Sequence, residues 1–278
     1  MILNQLKQTV DQNQGKNPLY IRSLLKEQLQ YYLLNFVYNS RYGEKFLFKG
    51  GTCLRFCFDL PRLSEDLDFD VDDFDQFDFD LFLSDIQTYF KNTLQYTNFE
   101  LKISGVNKII YLKFPILNKL GLPVSLQKPS QNLLNIRIDL APVAGEGFSR
   151  EISLKSTYDF AFLIRRYSLA DLYAGKLAAV LGREKWQSGA RVARFKGRDY
   201  FDIWWLREQG AVWNSQYLQS LTNISSEAEV ISMLNDKIQE AVKRKSELKQ
   251  DLLPFFENPM FVEDVIDNLH TLNFAKQS

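Results

Sequence analysis

Apolar residues recur at helical spacing from Leu19 to Tyr38, at Ile21, Leu24, Leu25, Leu29, Tyr32, Leu33 and Phe36, and this pattern predicts one long packing helix. The run Phe46, Leu47, Phe48 predicts a short buried strand. It is followed by Gly50 and Gly51, and then by Leu54, Phe56, Cys57 and Phe58, which read as a buried helix. From Ser64 to Asp70 the period changes to two, with Leu67 and Phe69 on one strand face and Asp66, Asp68 and Asp70 on the other. A helix is expected over Leu81 to Leu94, with Asp78 and Asp80 favouring its N-terminus. Period two returns at Phe99, Leu101 and Ile103, at Ile110, Leu112 and Phe114, and at Leu134, Ile136, Ile138 and Leu140. These three strands would complete a mixed sheet with the earlier ones. After Asp159 the pattern reads as helical to the end, with a boundary in Gly145 to Thr157. The chain is thus expected to be α+β, with one domain over residues 1–150 and a helical domain over 151–278.

Composition narrows the chemistry. The 278 residues are 45% apolar and 14% aromatic, enough for two cores. Lys+Arg and Asp+Glu balance at 34 each, so any contact with nucleic acid must come from a local patch. Cys53 and Cys57 lie four apart on the helix after the glycines, where reduced buried thiols are expected. His270 is the sole histidine, which argues against a zinc site and against most Ser-His or Cys-His nucleophiles. The N-terminus does not read as a signal peptide and no apolar run approaches 18 residues, so the expectation is a cytoplasmic protein without membrane contact.

The candidate chemistry concentrates in residues 47–70. A glycine pair between a strand and a helix permits positive φ and brings bare N–H groups toward an anion, while Thr52 offers an N-cap hydroxyl. Backbone donors at a positive helix end suit a triphosphate. Same-face carboxylates at Asp66 and Asp68 are about 7 Å apart by strand rise, within reach of one divalent ion. The plainer alternatives are a simple turn at Gly50-Gly51-Thr52 and a solvated acidic run, since ten of the 22 residues from Asp59 to Asp80 are acidic. From Asp72 onward the acids read as a loop. Like charges repeated on a half-buried strand favour the metal reading for Asp66 and Asp68. Asp139 shares its strand face with Arg137, with which it can pair as a surface aspartate.

Lys49-Gly50-Gly51-Thr52, with Arg62-Leu63-Ser64-Glu65-Asp66-Leu67-Asp68-Phe69, resembles the first motif of the AbiEii-type nucleotidyl transferase toxins, within the DNA polymerase β-like superfamily. A second block, Leu169 to Leu177 with Lys176, followed by Lys196-Gly197-Arg198-Asp199-Tyr200-Phe201-Asp202-Ile203, is similar to the family's helix lysine and its Lys-x-Arg-Asp-x-x-Asp signature. The resemblance covers residues 40–210 and hardly touches the last seventy. It implies a polymerase β-like domain with a mixed sheet flanked by helices, followed by an α-helical C-terminal domain. It also implies transfer of an NMP from an NTP, with Mg²⁺ or Mn²⁺ held by Asp66, Asp68 and a third carboxylate from a neighbouring strand, for which Asp139 is the candidate and Glu146 the fallback. Lys49, Gly50, Gly51, Thr52, Ser64, Lys176, Arg198 and Asp202 would bind nucleotide, and Lys176 and Asp199 would join the catalytic set. The family further implies a toxin with a cognate antitoxin, and an RNA acceptor such as a tRNA 3′ end.

Read from the residues alone, Lys176 lies in a small, apolar run and either snorkels or reaches a cleft. Asp199 and Asp202 share a helix face and answer Lys176 or Arg198, or simply charge a helix N-terminus. The stretch 183–198 sets Arg183, Lys185, Arg191, Arg194, Lys196 and Arg198 against Glu184, among Trp186 and Phe195, as a phosphate-binding patch or a solvated loop. Rival functions are nucleotidylation of protein or small-molecule hydroxyls, a non-catalytic antitoxin-like module, and an acidic interaction surface.

Overall fold

A computed structural model describes residues 2–104, 109–125, 127, 132–157, 160–182, 184–187, 190–193, 195–272 and 274, and between 184 and 193 the backbone only. Two compact units emerge: Met1–Val143 with Glu151–Arg166, and Ala144–Arg150 with Tyr167–Ser278.

The first unit opens with α1 (Ile2–Gln12) and α2 (Pro18–Tyr38), the latter capped by the Asn17 side chain and buried along Leu25, Leu29 and Leu33. The chain then forms β1 (Phe46–Lys49), α3 (Gly50–Phe58) and β2 (Asp66–Val71). Helix α4 (Phe79–Asn92) starts on Asp78, whose carboxylate accepts from the Leu81 N–H. Strands β3 (Glu100–Ser104), β4 (Ile109–Phe114), β5 (Leu134–Pro142), β6 (Arg150–Thr157) and β7 (Phe160–Tyr167) follow. They build one seven-stranded sheet in the order β3-β4-β5-β2-β1-β7-β6. The sheet is mixed: β2 runs antiparallel to β1 and parallel to β5, and β1 runs parallel to β7.

Alternation sorts the sheet into two faces. Phe48, Leu67 and Phe69 are fully buried. Phe69 packs against Phe46 and Phe48 with ring centroids 5.2 and 5.0 Å away, and Phe46 continues to Phe82 of α4. Helix α2 lies against the same layer, with Tyr38 stacked on Phe162 and its hydroxyl donating to the Arg165 carbonyl. Arg55 of α3 forks onto Glu27 of α2 and ties the two helices.

The second unit contains α5 (Leu169–Gly182), the hairpin β8 (Glu184–Gln187) and β9 (Ala190–Ala193), and helices α6 (Gly197–Glu208), α7 (Ser215–Thr222), α8 (Glu227–Val242), α9 (Lys245–Leu252) and α10 (Pro259–Asn268). Asp171, 1% exposed, is satisfied by Ser149 N–H, Ser168 Oγ and Asn214 Nδ2.

Three expectations change. Residues 160–167 are strand rather than helix, because Phe162 and Ile164 are buried at period two beside β1, while exposed Leu163 between them blurs the pattern. Glu184–Gln187 and Ala190–Ala193 pair as antiparallel strands rather than forming helix, and Asp159 lies outside the described residues. Thr52 is not an N-cap: α3 begins at Gly50 directly after β1, with Lys49 as cap residue, so Thr52 falls inside the first turn.

Phe69→Ala removes a ring at the centre of this layer. The expected cost is about 3–5 kcal/mol, measured as a lower urea midpoint with unchanged slope.

Candidate active site

The candidate site is built where β1 turns into α3 beside β2 and β5. Gly50 has φ of 80°, and a Cβ there would meet Asp68 Oδ2 at 2.3 Å. Only glycine allows both the turn and the packing of that carboxylate over the first turn of α3, whose partial positive charge favours it. Gly51 answers a different demand. A Cβ on it would lie 2.5 Å from Arg62 Nη2, and Arg62 is itself buried with Nη1 on the Leu63 carbonyl at 2.9 Å.

Thr52 Oγ1 donates to the Asp66 carbonyl and lies 2.8 Å from Ser64 Oγ. Thr52 and Ser64 therefore clamp the start of β2 onto α3. Gln30 of α2, fully buried, adds a bond to the Glu65 carbonyl at 2.8 Å. Neither Gln30 nor Arg62 was given a role from the sequence, Arg62 standing only within the quoted motif.

Register brings the carboxylates together. In the parallel β2–β5 pair, Asp68 stands opposite Asp139 and Asp66 opposite Arg137. Arg137 forks onto Asp139, Nε to Oδ1 at 2.8 Å and Nη2 to Oδ2 at 2.5 Å, and its Nη1 lies 3.9 Å from Asp66 Oδ2. Partial burial pulls the Arg137 pKa down, but the bonds to Asp139 and the charge of Asp66 outweigh it, and the guanidinium is held above its ordinary value. The anticipated Arg137–Asp139 pair is present; its reach to Asp66 was not anticipated. Lys49, opposite Asp68 across β1–β2, sends Nζ to Asp70 Oδ1 at 2.5 Å, and Asp70 is 1% exposed. Farther along, Arg165 pairs with Asp72 at 3.1 Å. Among the described residues, no three His, Cys, Asp or Glu side chains are arranged as they stand to hold a metal ion. The position between Asp66 and Asp139 is taken by a guanidinium.

The remaining predicted residues lie in the second unit. Lys176 Nζ sits 3.1 Å from Asp199 Oδ1 and 2.7 Å from Asp202 Oδ2, with all three side chains nearly buried. Arg198 Nε lies 3.3 Å from Asp251 and its guanidinium stacks 4.4 Å from the Phe255 ring. Glu146 is exposed, and its backbone N–H donates to Ser220 Oγ. His270 is exposed on the last turn. The side chains of Arg183, Lys185, Trp186, Arg191 and Arg194 lie outside the described residues.

Lys176→Ala would leave two buried carboxylates uncompensated. The expected loss is about 3–5 kcal/mol of stability, seen as a drop in melting temperature, while Lys176→Arg retains part of it.

Comparisons with known proteins agree in outline. The family model "Nucleotidyl transferase AbiEii toxin, Type IV TA system" matches residues 32–269. No curated protein matches the chain. Two solved Helicobacter pylori structures are similar at 16% identity: JHP933, over 90% of this chain and 89% of that one with a TM-score of 0.49, and a candidate nucleotidyltransferase, over 90% and 95% with a TM-score of 0.48. The family assignment does not rest on these two distant likenesses. No helix among the described residues is long and apolar enough to cross a membrane. With the family model spanning both units and both sequence blocks, the chain belongs to the AbiEii nucleotidyl transferase toxin family of type IV toxin–antitoxin systems.

Proposed function

We propose that this nucleotidyltransferase uses a divalent cation, Mg²⁺ or Mn²⁺, to move an NMP from an NTP to an RNA acceptor such as a tRNA 3′ end, in a cell that also holds its cognate antitoxin. The observation that carries the reading is the register that sets Asp68 opposite Asp139, two positions along from Asp66 and Arg137. An oxygen-only donor set suits a hard cation rather than zinc.

Asp66, Asp68 and Asp139 would hold the cation, which when bound polarises phosphoryl oxygen and lowers the pKa of an attacking hydroxyl. For Asp139 to join that set, Arg137 would have to release its fork on the carboxylate. The residues of the chain do the remaining work. The first N–H groups of α3, freed of side chains at Gly50 and Gly51, donate to phosphate oxygens, and Thr52 and Ser64 keep that turn fixed against β2. Lys49, one-third exposed beside Asp70, supplies positive charge next to the phosphates. In-line attack at the α-phosphate breaks the α–β bridging bond, joins the acceptor oxygen to phosphorus and releases pyrophosphate. An Asp139 carboxylate released from Arg137 accepts the acceptor's proton. A phosphate contact by Lys176 would require it to give up Asp199 or Asp202, so we assign that trio first to the stability of the second unit.

The test is incubation of the protein with each α-³²P-labelled NTP, Mg²⁺ and total RNA, beside Asp68→Asn, with products resolved on a denaturing gel. Label on a tRNA-sized band, falling to background in Asp68→Asn while its melting temperature is retained, is the expected result. Label on protein alone would replace RNA by a protein acceptor. Full labelling by Asp68→Asn would remove the carboxylates from the mechanism.

A further inference from the structure

Strand β6 ends the seven-stranded sheet, and among the described residues no strand lies on its outer side. Over eight residues that edge offers a row of backbone donors and acceptors to another strand. Its side chains sort cleanly. Arg166 of β7 donates from Nε to Ser153 Oγ at 2.6 Å and from Nη1 to Glu151 Oε2 at 2.7 Å. Glu151, Ser153 and, by alternation, Lys155 therefore lie on the face shared with Phe162 and Ile164. Ile152, Leu154 and Leu163 point the other way and are 66%, 71% and 57% exposed. Three large apolar side chains crowded at one end of a sheet in this way mark an interaction surface.

The strand is complementary to itself. In an antiparallel pair of two β6 strands with the two-fold at Ser153, Glu151 stands opposite Lys155 twice on one face. On the other face Ile152 stands opposite Leu154 twice. Cross-strand pairs of both kinds stabilise a sheet, and like charges opposite one another oppose it. A slip of one residue sets Ile152 against Lys155 and Ser153 against Leu154, so the matched register is the favoured one. The half-exposed Glu151 carboxylate and the Lys155 ammonium, which lies 5.9 Å from the Tyr31 ring, are on the face where they must meet.

We infer that this chain forms a homodimer by antiparallel pairing of β6 with β6 of a second copy, fusing two seven-stranded sheets into one. The contact is isologous and closed, so it uses the open edge of each copy once and does not propagate.

Sedimentation velocity of the full chain over a wide concentration range tests it. A dimer is expected, weakened at least about tenfold by Leu154→Lys, which places two cations in the apolar row, and likewise by Lys155→Glu, which sets glutamate against Glu151. The double change Glu151→Lys with Lys155→Glu restores opposite charges across the axis and is expected to restore the dimer. Leu154 is exposed and outside the core, so its variant folds whatever the fate of the charge changes. A monomer at every concentration, or a dimer indifferent to both Leu154→Lys and Lys155→Glu, would overturn the inference.

Discussion

Acidic side chains gathered on neighbouring strands repel, and the first unit is arranged around that repulsion. Asp66, Asp68 and Asp139 are held close by the parallel β2–β5 register, while the opposite face of β2 is fixed by the burial of Leu67 and Phe69. The strand cannot slip to separate the charges without turning its apolar face to water. Arg137 and Lys49 supply the countercharge, one between Asp66 and Asp139 and the other on buried Asp70. The fork of Arg137 on Asp139 is about one-third exposed, and such a pair exchanges more readily than a buried one.

The glycine pair serves the same arrangement. Gly50 turns the chain with positive φ and yields space to the Asp68 carboxylate, and Gly51 yields space to the buried Arg62. The pair thus sets the backbone of the α3 N-terminus beside the carboxylates at a distance no other residue would allow. Thr52, Ser64 and Gln30 hold the two segments together: Thr52 and Gln30 reach the carbonyls of Asp66 and Glu65 at the head of β2, and the Ser64 hydroxyl meets that of Thr52.

Much of this geometry was legible in the chain. Period two at Leu67 and Phe69 fixed the face of Asp66 and Asp68, and the alternation in Leu134–Leu140 identified the strand carrying Asp139. The reach of Arg137 to Asp66 was not legible, because it depends on strand neighbours far apart in sequence. The strands at 150–167 were hidden for a related reason. Ile152, Leu154 and Leu163 put apolar residues on the face that alternation assigns to solvent, so the period-two signal of Phe162 and Ile164 was lost in a run that reads as helix. Lys176 in its small, apolar helix was recognisable as a charge in need of partners, and Asp199 and Asp202 are those partners. The likeness to AbiEii toxins rested on the same two blocks, and the family model extends it through the helices of the second unit to residue 269.

The proposed mechanism requires that Asp66, Asp68 and Asp139 together hold a divalent cation in place of Arg137. Electron paramagnetic resonance of Mn²⁺ titrated into the protein with a non-hydrolysable NTP tests it most directly, with Asp68→Asn and Asp139→Asn in parallel. Free Mn²⁺ signal is expected to be lost on the wild-type protein and retained with either variant. Equal binding of Mn²⁺ by all three proteins, or nucleotide binding by the wild type with no bound Mn²⁺, would contradict it.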